Sequence, residues 1–270
     1  MIRMSAVIAL LAVASLAGSA TETENLGIRI LPAPGVVRVD GKLDDWDLSG
    51  GVFVTGNVET QRGTVASWLH AMYDRDALYM LVRWHDDTPL NNPGSITGDA
   101  GFAGDSLQLR LITNPDGPGS PAICWLTAWR DRQGLDVIDL TFPKGGGANL
   151  KDAKSKGARQ AFLKNADGKG YVQELALPWS VLKAGGGMPG PGGRIVMSVE
   201  LNFGTETGLR LSFKDIFRPG VKPNRVFTYD APDCWGFGVL SASGHVAPQP
   251  VRLADARERR FSVLRADIHG

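Results

Sequence analysis

The sequence predicts an all-β protein, an antiparallel β-sandwich of jelly-roll or immunoglobulin-like type with long functional loops. The 34 glycines and 16 prolines in 270 residues favour many turns over long helices. About ten short runs alternate apolar and polar side chains, and turn signals separate them at regular spacing. No stretch with a helical apolar period is long enough to support an α/β fold.

The predicted strands follow one another along the chain. They are 28–31, 36–40, 52–56, 64–73, 77–85, 106–112, 122–130, 134–142, 160–164, 170–177, 194–203, 209–213 and 236–240. The first is predicted at an edge of its sheet. Asp40-Gly41 is a strong turn signal, and the proline at the start of 178–182 predicts one helical turn.

The loop between the strands 77–85 and 106–112 is unusually long, and its Asp, Asn and Gly content predicts a binding rim. In the second of these strands, the leucines 107, 109 and 111 share one face. Ser106, Gln108 and Arg110 share the other.

Residues 1–20 have the pattern of a secretory signal peptide. Arg3 supplies the positive start, 6–17 is a short apolar run, and Gly18 and Ala20 are small residues at the cleavage positions. The run is shorter than the ~20 residues of a membrane span; a signal anchor that is never cut is the alternative. We therefore expect a secreted or periplasmic bacterial-type protein, with a sandwich domain over 21–240 and a linker and tail over 241–270.

The net charge of +1 gives no electrostatic footprint for nucleic acid, and none for a membrane surface. Cys124 and Cys234 are the two cysteines, and each precedes a tryptophan. In an oxidising compartment they could pair, or both could be buried thiols. The sequence leaves this choice open.

Catalytic motifs of the common hydrolase, metalloprotease and nucleotide-binding types are absent, and the four histidines are scattered. We therefore predict that the protein is not an enzyme. Acidic turns suggest calcium instead, at Asp74 with Asp76, Asp86 with Asp87, and Asp99 with Asp105. The alternative is that these carboxylates close turns and cap strand ends.

Seven tryptophans are notable, because aromatic faces stack on sugar rings in sites that also hold a few polar groups. Their positions assign them structural roles. Trp46, Trp179 and Trp235 belong to turns, whereas Trp68, Trp84, Trp125 and Trp129 are expected in the core.

Five segments in order resemble family nine of the carbohydrate-binding modules, within the wider DOMON-like superfamily of extracellular cytochrome-like sandwiches. They are the runs VDGKLDDW at 39–46, YDRDALYMLV at 73–82, GDSLQL at 104–109, YVQELALPW at 171–179 and WGFG at 235–238. The resemblance covers about residues 30–240. It implies a β-sandwich that binds a poly- or oligosaccharide without catalysis.

In that family two aromatic rings enclose a terminal sugar, and the matching positions here are Phe102 and Tyr229. The family's polar contacts correspond to Gln108, Glu200 and Asn202, and Arg110 shares the strand face of Gln108.

Two rival readings come from the same superfamily. One is a haem-b electron-transfer domain with axial ligands drawn from His70, Met72, Met80 and His85. The other is a structural or interaction domain whose ancestral site has decayed.

Overall fold

A computed structural model describes residues 21–95, 101–117, 122–183, 188–221 and 231–254. Within these ranges the regular secondary structure is mostly β-strand, with a few short helical turns. The strands are β1 (Gly27–Pro32), β2 (Val52–Val54), β3 (Val65–Tyr73), β4 (Ala77–Asp86), β5 (Ser106–Ile112), β6 (Ile123–Arg130), β7 (Asp136–Lys144), β8 (Arg159–Lys164), β9 (Tyr171–Pro178), β10 (Arg194–Thr205), β11 (Gly208–Asp215) and β12 (Gly236–Leu240). The single α-helix in these ranges is the turn α1 (Val58–Gln61).

The strands form one mixed sheet whose two halves face each other across a shared core. The order is β7-β6-β5-β10-β12-β1-β3-β4-β9-β8, with β11 also pairing β10 and β2 also pairing β3. The all-β sandwich prediction is confirmed. The prediction that 28–31 is an edge strand is wrong, because β1 pairs in parallel with both β12 and β3.

The core forms from the alternating apolar positions of the facing strands. On β5 these are Leu107, Leu109 and Leu111, all fully buried, as the sequence predicts. Trp84 of β4 lies in the same core, where its ring stacks on Tyr171 at 5.4 Å.

A loop covers the outer face of the β3–β4–β9 half, where the predicted strand 36–40 does not form. Glu174 of β9 holds it in place. One carboxylate oxygen accepts hydrogen bonds from the backbone N–H groups of Asp40 and Gly41, each at 2.9 Å, and the other accepts from Trp46 Nε1 at 2.9 Å. Gly41 has φ 82°, which suits the predicted turn. Trp46 is thus the structural plug that the sequence predicts.

A buried acidic pair fixes the long loop after β4. Asp105 accepts hydrogen bonds from the backbone N–H groups of Asn91 at 3.0 Å and Gly204 at 2.5 Å, which ties the loop to β10. Burial, followed by the charge of Asp86, raises the pKa of Asp105 far above its ordinary value of 3.8. A proton held between the two carboxyls would supply the hydrogen bond that the buried Asp86 Oδ2 otherwise lacks among the described residues.

Residues 241–254 pack against the sandwich. The backbone N–H of Ser241 donates to Ile30 O at 2.8 Å, and Val251 and Leu253 are buried beside Phe53. No helix in the described ranges is long and apolar enough to cross a membrane.

The Glu174 contacts predict a specific loss of stability. Glu174→Gln places an amide N–H where the carboxylate now accepts three hydrogen bonds, so at least one buried donor loses its acceptor. We expect the free energy of unfolding in urea to fall by about 1–3 kcal/mol.

The exposed Glu206→Gln is the matched control and should leave that free energy unchanged within about 0.5 kcal/mol. Equal stability of Glu174→Gln and wild type would contradict the anchoring role of Glu174.

The acidic pair predicts a stability that declines with pH. Because the folded state holds a proton on Asp105 that the unfolded chain releases near pH 3.8, the contribution of the pair falls as pH rises above that value. Asp86→Asn removes the neighbouring charge and donates a hydrogen bond to Asp105, which brings the pKa of Asp105 closer to its ordinary value. The free energy of unfolding of this variant should therefore fall less than that of wild type between about pH 5 and about pH 8.5.

The difference between the two proteins should exceed about 1 kcal/mol, which corresponds to less than one pKa unit. Asp76→Asn, at an exposed carboxylate, should reproduce the wild-type dependence. An identical pH dependence in Asp86→Asn would show that the two carboxyls do not share a proton.

Candidate ligand-binding site

The outer face of the β5–β10 half is polar although it is buried. The residues of β5 and β10 that point away from the core pair directly across the two strands, as Ser106 with Asn202, Gln108 with Glu200 and Arg110 with Ser198. All six are almost fully buried. Four of them, Gln108, Arg110, Glu200 and Asn202, are predicted ligand contacts, so the fold gathers one set of predicted contacts on one surface.

These cross-strand rows of outward-facing side chains continue onto β6 and β7. Beside Gln108 the row continues with Thr127 and Asp139, and beside Arg110 it continues with Trp125 and Thr141. These side chains line a groove of about 450 Å³, which we name the polar groove. Phe102 and Trp129 also line it, at the end where β5 begins.

Arg110 is held in a fixed orientation within the polar groove. Its Nη2 donates to Gln108 Oε1 at 2.7 Å, and its Nη1 donates to the Leu109 carbonyl at 3.2 Å. The guanidinium carbon lies 5.5 Å from the ring centroid of Trp125. A guanidinium fixed in this way presents a positive, planar donor surface.

Glu200 and its neighbours on β10 carry acceptors that the described protein does not use. Glu200 is 1% exposed, and its Oε1 accepts from Ser212 Oγ at 2.6 Å. Its Oε2, together with Asn202 Oδ1 and Ser198 Oγ, is buried without a hydrogen-bond partner among the described residues. Buried acceptors are rarely left unpaired, so these atoms are candidates for contact with a ligand hydroxyl.

The aromatic residues of the site differ in part from those predicted. Phe102 lies on the turn Gly101–Ala103 and is 46% exposed, which suits a stacking surface. Tyr229, the predicted opposing ring, lies outside the described residues.

One aromatic residue of the groove differs from its prediction. Trp125 is only partly buried and points with Thr127 into the polar groove, so its assignment to the core is wrong. The alternation with Cys124, Leu126 and Ala128, which are all in the core, carries the signal that could have placed it. Trp129 is 2% exposed and supports Gly101, where a Cβ would lie 2.7 Å from its ring.

The proposed calcium ligands do not gather around one point. Asp74 closes the β3–β4 turn by accepting from the N–H groups of Asp76 and Ala77, and Asp76 itself is exposed beside Arg75. Asp87 pairs with Arg210 at 2.5 Å.

Asp86 and Asp105 form the buried acidic pair described above, and Asp99 lies outside the described residues. Within those residues, no group of three or more His, Cys, Asp or Glu could hold a metal ion.

The proposed haem ligands lie on opposite faces of one sheet. Met80 is in the shared core, whereas Met72 packs under the outer loop and accepts a backbone N–H from Asp47 at 3.4 Å. His70 is on the outer face with Met72, and burial lowers its pKa to about 3. His85 is half-buried near the end of β4. Met72 and Met80 therefore cannot serve one pocket.

Both cysteines are free thiols. Cys124 is buried in the core, and Cys234 is partly buried beside β12. Of the two alternatives from the sequence, the structure has the unpaired form.

The similarity of this chain to known proteins lies in its fold. No protein-family model and no curated protein sequence matches the chain. A family 9 carbohydrate-binding module from Caldicellulosiruptor kristjanssonii in complex with cellotriose has 18% identity and a TM-score of 0.52, over 83% of this chain and 99% of that one. A structure of a family 9 module from the same organism in complex with glucose has 19% identity and a TM-score of 0.52, over 82% of this chain and 100% of that one. The chain therefore has the fold of a family 9 carbohydrate-binding module.

Proposed function

We propose that this chain is a non-catalytic carbohydrate-binding domain that binds a sugar in the polar groove. The observation that carries the proposal is a groove in which aromatic rings and oriented polar groups occur together on one sheet face. Sugar sites combine these features, because the apolar ring faces stack on aromatics while the hydroxyls need fixed donors and acceptors.

A donor in the groove and acceptors on the adjoining strand β10 have different roles. Arg110, fixed by Gln108 and the ring of Trp125, donates to ligand oxygens. Glu200 and Asn202 do not line the groove but pair across the strands with Gln108 and Ser106, and their acceptors without a partner among the described residues take up ligand hydroxyls. Phe102 supplies the apolar surface at the rim, and Tyr229 remains the proposed opposing ring.

The fold supports this function by its likeness to the bacterial modules, one complex of which holds cellotriose and the other glucose. Neither a metal nor a haem takes part in the proposed binding. Export through the leader at 1–20 is part of the proposal, because a polysaccharide ligand lies outside the cell.

The rim ring gives the first test of this site. Phe102→Ala removes an exposed aromatic surface, and we expect the affinity for a bound oligosaccharide to fall by up to about tenfold, the equivalent of ~1.4 kcal/mol. Glucose, cellotriose and a panel of other oligosaccharides would be titrated by isothermal calorimetry.

Leu163→Ala is the control, because Leu163 is also 46% exposed but lies on β8. Its affinity should equal that of wild type. The rim assignment fails if both variants bind alike, and the function itself fails if wild type binds no saccharide on the panel.

Glu200 gives the second test. Glu200→Gln keeps the acceptor for Ser212 but replaces the other carboxylate oxygen with a donor. Because hydrogen bonds to a charged acceptor are worth about 1.5–3 kcal/mol, we expect at least about a tenfold loss of affinity with little change in the melting temperature.

Glu206→Gln, on the exposed turn that joins β10 to β11, should retain full affinity. Wild-type affinity in Glu200→Gln would remove Glu200 from the site.

A further inference from the structure

A second groove crosses the outer face of the sheet where β1, β12 and β10 meet. In one cross-strand row, Arg29 of β1 and Arg194 of β10 flank Val239 of β12. In the next row, Phe237 of β12 lies beside Gly27 of β1. These side chains point outward, because Ile28 and Ile30 on the same strand point into the core.

Arginine side chains surround the ring of Phe237. The guanidinium carbons of Arg194 and Arg218 lie 5.1 Å and 5.5 Å from its centroid. The segment with Gln249 and Arg252 lies beside β1. It forms the wall of the groove opposite β12. The groove has a volume of about 550 Å³ and no acidic residue in its lining. We name it the arginine groove.

Most of this positive charge is not neutralised. Arg194 forms a bidentate pair with Asp116, at 3.1 Å for each bond. Arg29, Arg218 and Arg252 have no carboxylate within ion-pair distance among the described residues. Arg29 is instead oriented by a hydrogen bond from Nη1 to the Ala247 carbonyl at 3.1 Å.

A neighbouring cavity holds further carboxylates. Glu22, Glu24 and the buried Asp215 line it together with Lys214 and Arg218. The backbone of Glu24 donates to the Arg252 carbonyl at 3.0 Å, which holds the two walls of the arginine groove in register.

We propose that the arginine groove binds the carboxylate groups of an acidic, uronate-bearing polysaccharide. Guanidinium forks match planar carboxylates in a bidentate geometry, and the Phe237 and Val239 floor offers apolar contact to sugar rings. This inference rests on the proposed function, because the polar groove occupies the same sheet face. The six residue-to-residue steps from Arg194 to Glu200 along β10 span about 20 Å, so one extended chain can reach both grooves.

The test uses polygalacturonate as the acidic polymer and affinity electrophoresis as the measurement. The double variant Arg29→Gln/Arg252→Gln should bind it at least about tenfold more weakly than wild type. Arg38→Gln/Arg75→Gln removes the same net charge at exposed sites away from the groove and should bind within about twofold of wild type. Circular dichroism and melting temperature confirm that each variant is folded.

Two further measurements distinguish a specific binding site from nonspecific electrostatic attraction. Arg29→Lys/Arg252→Lys keeps the charge but loses the forks, and its affinity should fall between those of wild type and the glutamine variant. Wild-type binding should weaken as NaCl rises from about 50 to about 300 mM, since the site is exposed to solvent.

Several results would overturn the inference. One is that the wild-type protein does not bind polygalacturonate. Another is that the two charge-matched double variants lose equal affinity for it. The third is that the wild-type protein binds dextran sulfate or phosphatidylserine vesicles as tightly as polygalacturonate, or more tightly. Neutral oligosaccharides keep the two proposals apart. If Arg29→Gln/Arg252→Gln still binds them while no protein binds the acidic polymer, the arginine groove is wrong and the polar groove stands.

Discussion

The structure depends on the parallel pairing of β1 with both β12 and β3. Those backbone hydrogen bonds join the half of the sheet that ends at β7 to the half that ends at β8, and they hold the facing sides of the core together. Ile28 and Ile30 fill the core from this strand, so the joint is also apolar. Because side chains alternate along a strand, the same pairing turns Arg29 outward into the arginine groove.

The strand β10 pairs with β12 and so connects this parallel pairing to the proposed binding surface. Its inner residues, from Ile195 to Phe203, contribute five buried side chains to the core, which offset the cost of the polar side chains on its other face. An unpaired buried acceptor lowers the free energy of unfolding by about 1–3 kcal/mol, so the unpaired acceptors of Glu200 and Asn202 destabilise the fold when no ligand is bound. The strand can hold them only because β5 and β11 flank it and fix its register. The inner face of β10 thus contributes to stability, and its outer face carries the proposed ligand contacts.

Local patterns predicted much of this arrangement, and long-range contacts explain the rest. The alternation in β5 predicts its observed bounds and faces, because period-two burial is a local property, and the observed bounds of β12 are also those predicted. The predicted strand 36–40 does not form, because side-chain carboxylates take its backbone donors: Glu174, far along the chain, accepts from Asp40, and Asp45 accepts from Arg38. Similarly, residue type placed Trp125 in the core although its alternation places it in the polar groove. The parallel pairing of β1 and the Asp86–Asp105 pair leave no signal in their own neighbourhoods.

The outer face of β10 changes its chemistry along its length, and this gradient suggests how a ligand would be oriented. Near β11 the strand carries the acceptors of Glu200 and Asn202, which in the proposed site would accept from ligand hydroxyls. At its start the strand carries Arg194, which lies across Val239 from Arg29 and which in the proposed arginine groove would contact anions. A chain that places its carboxylate over Glu200 would bring two negative charges together, so electrostatics would favour one direction of binding over the other.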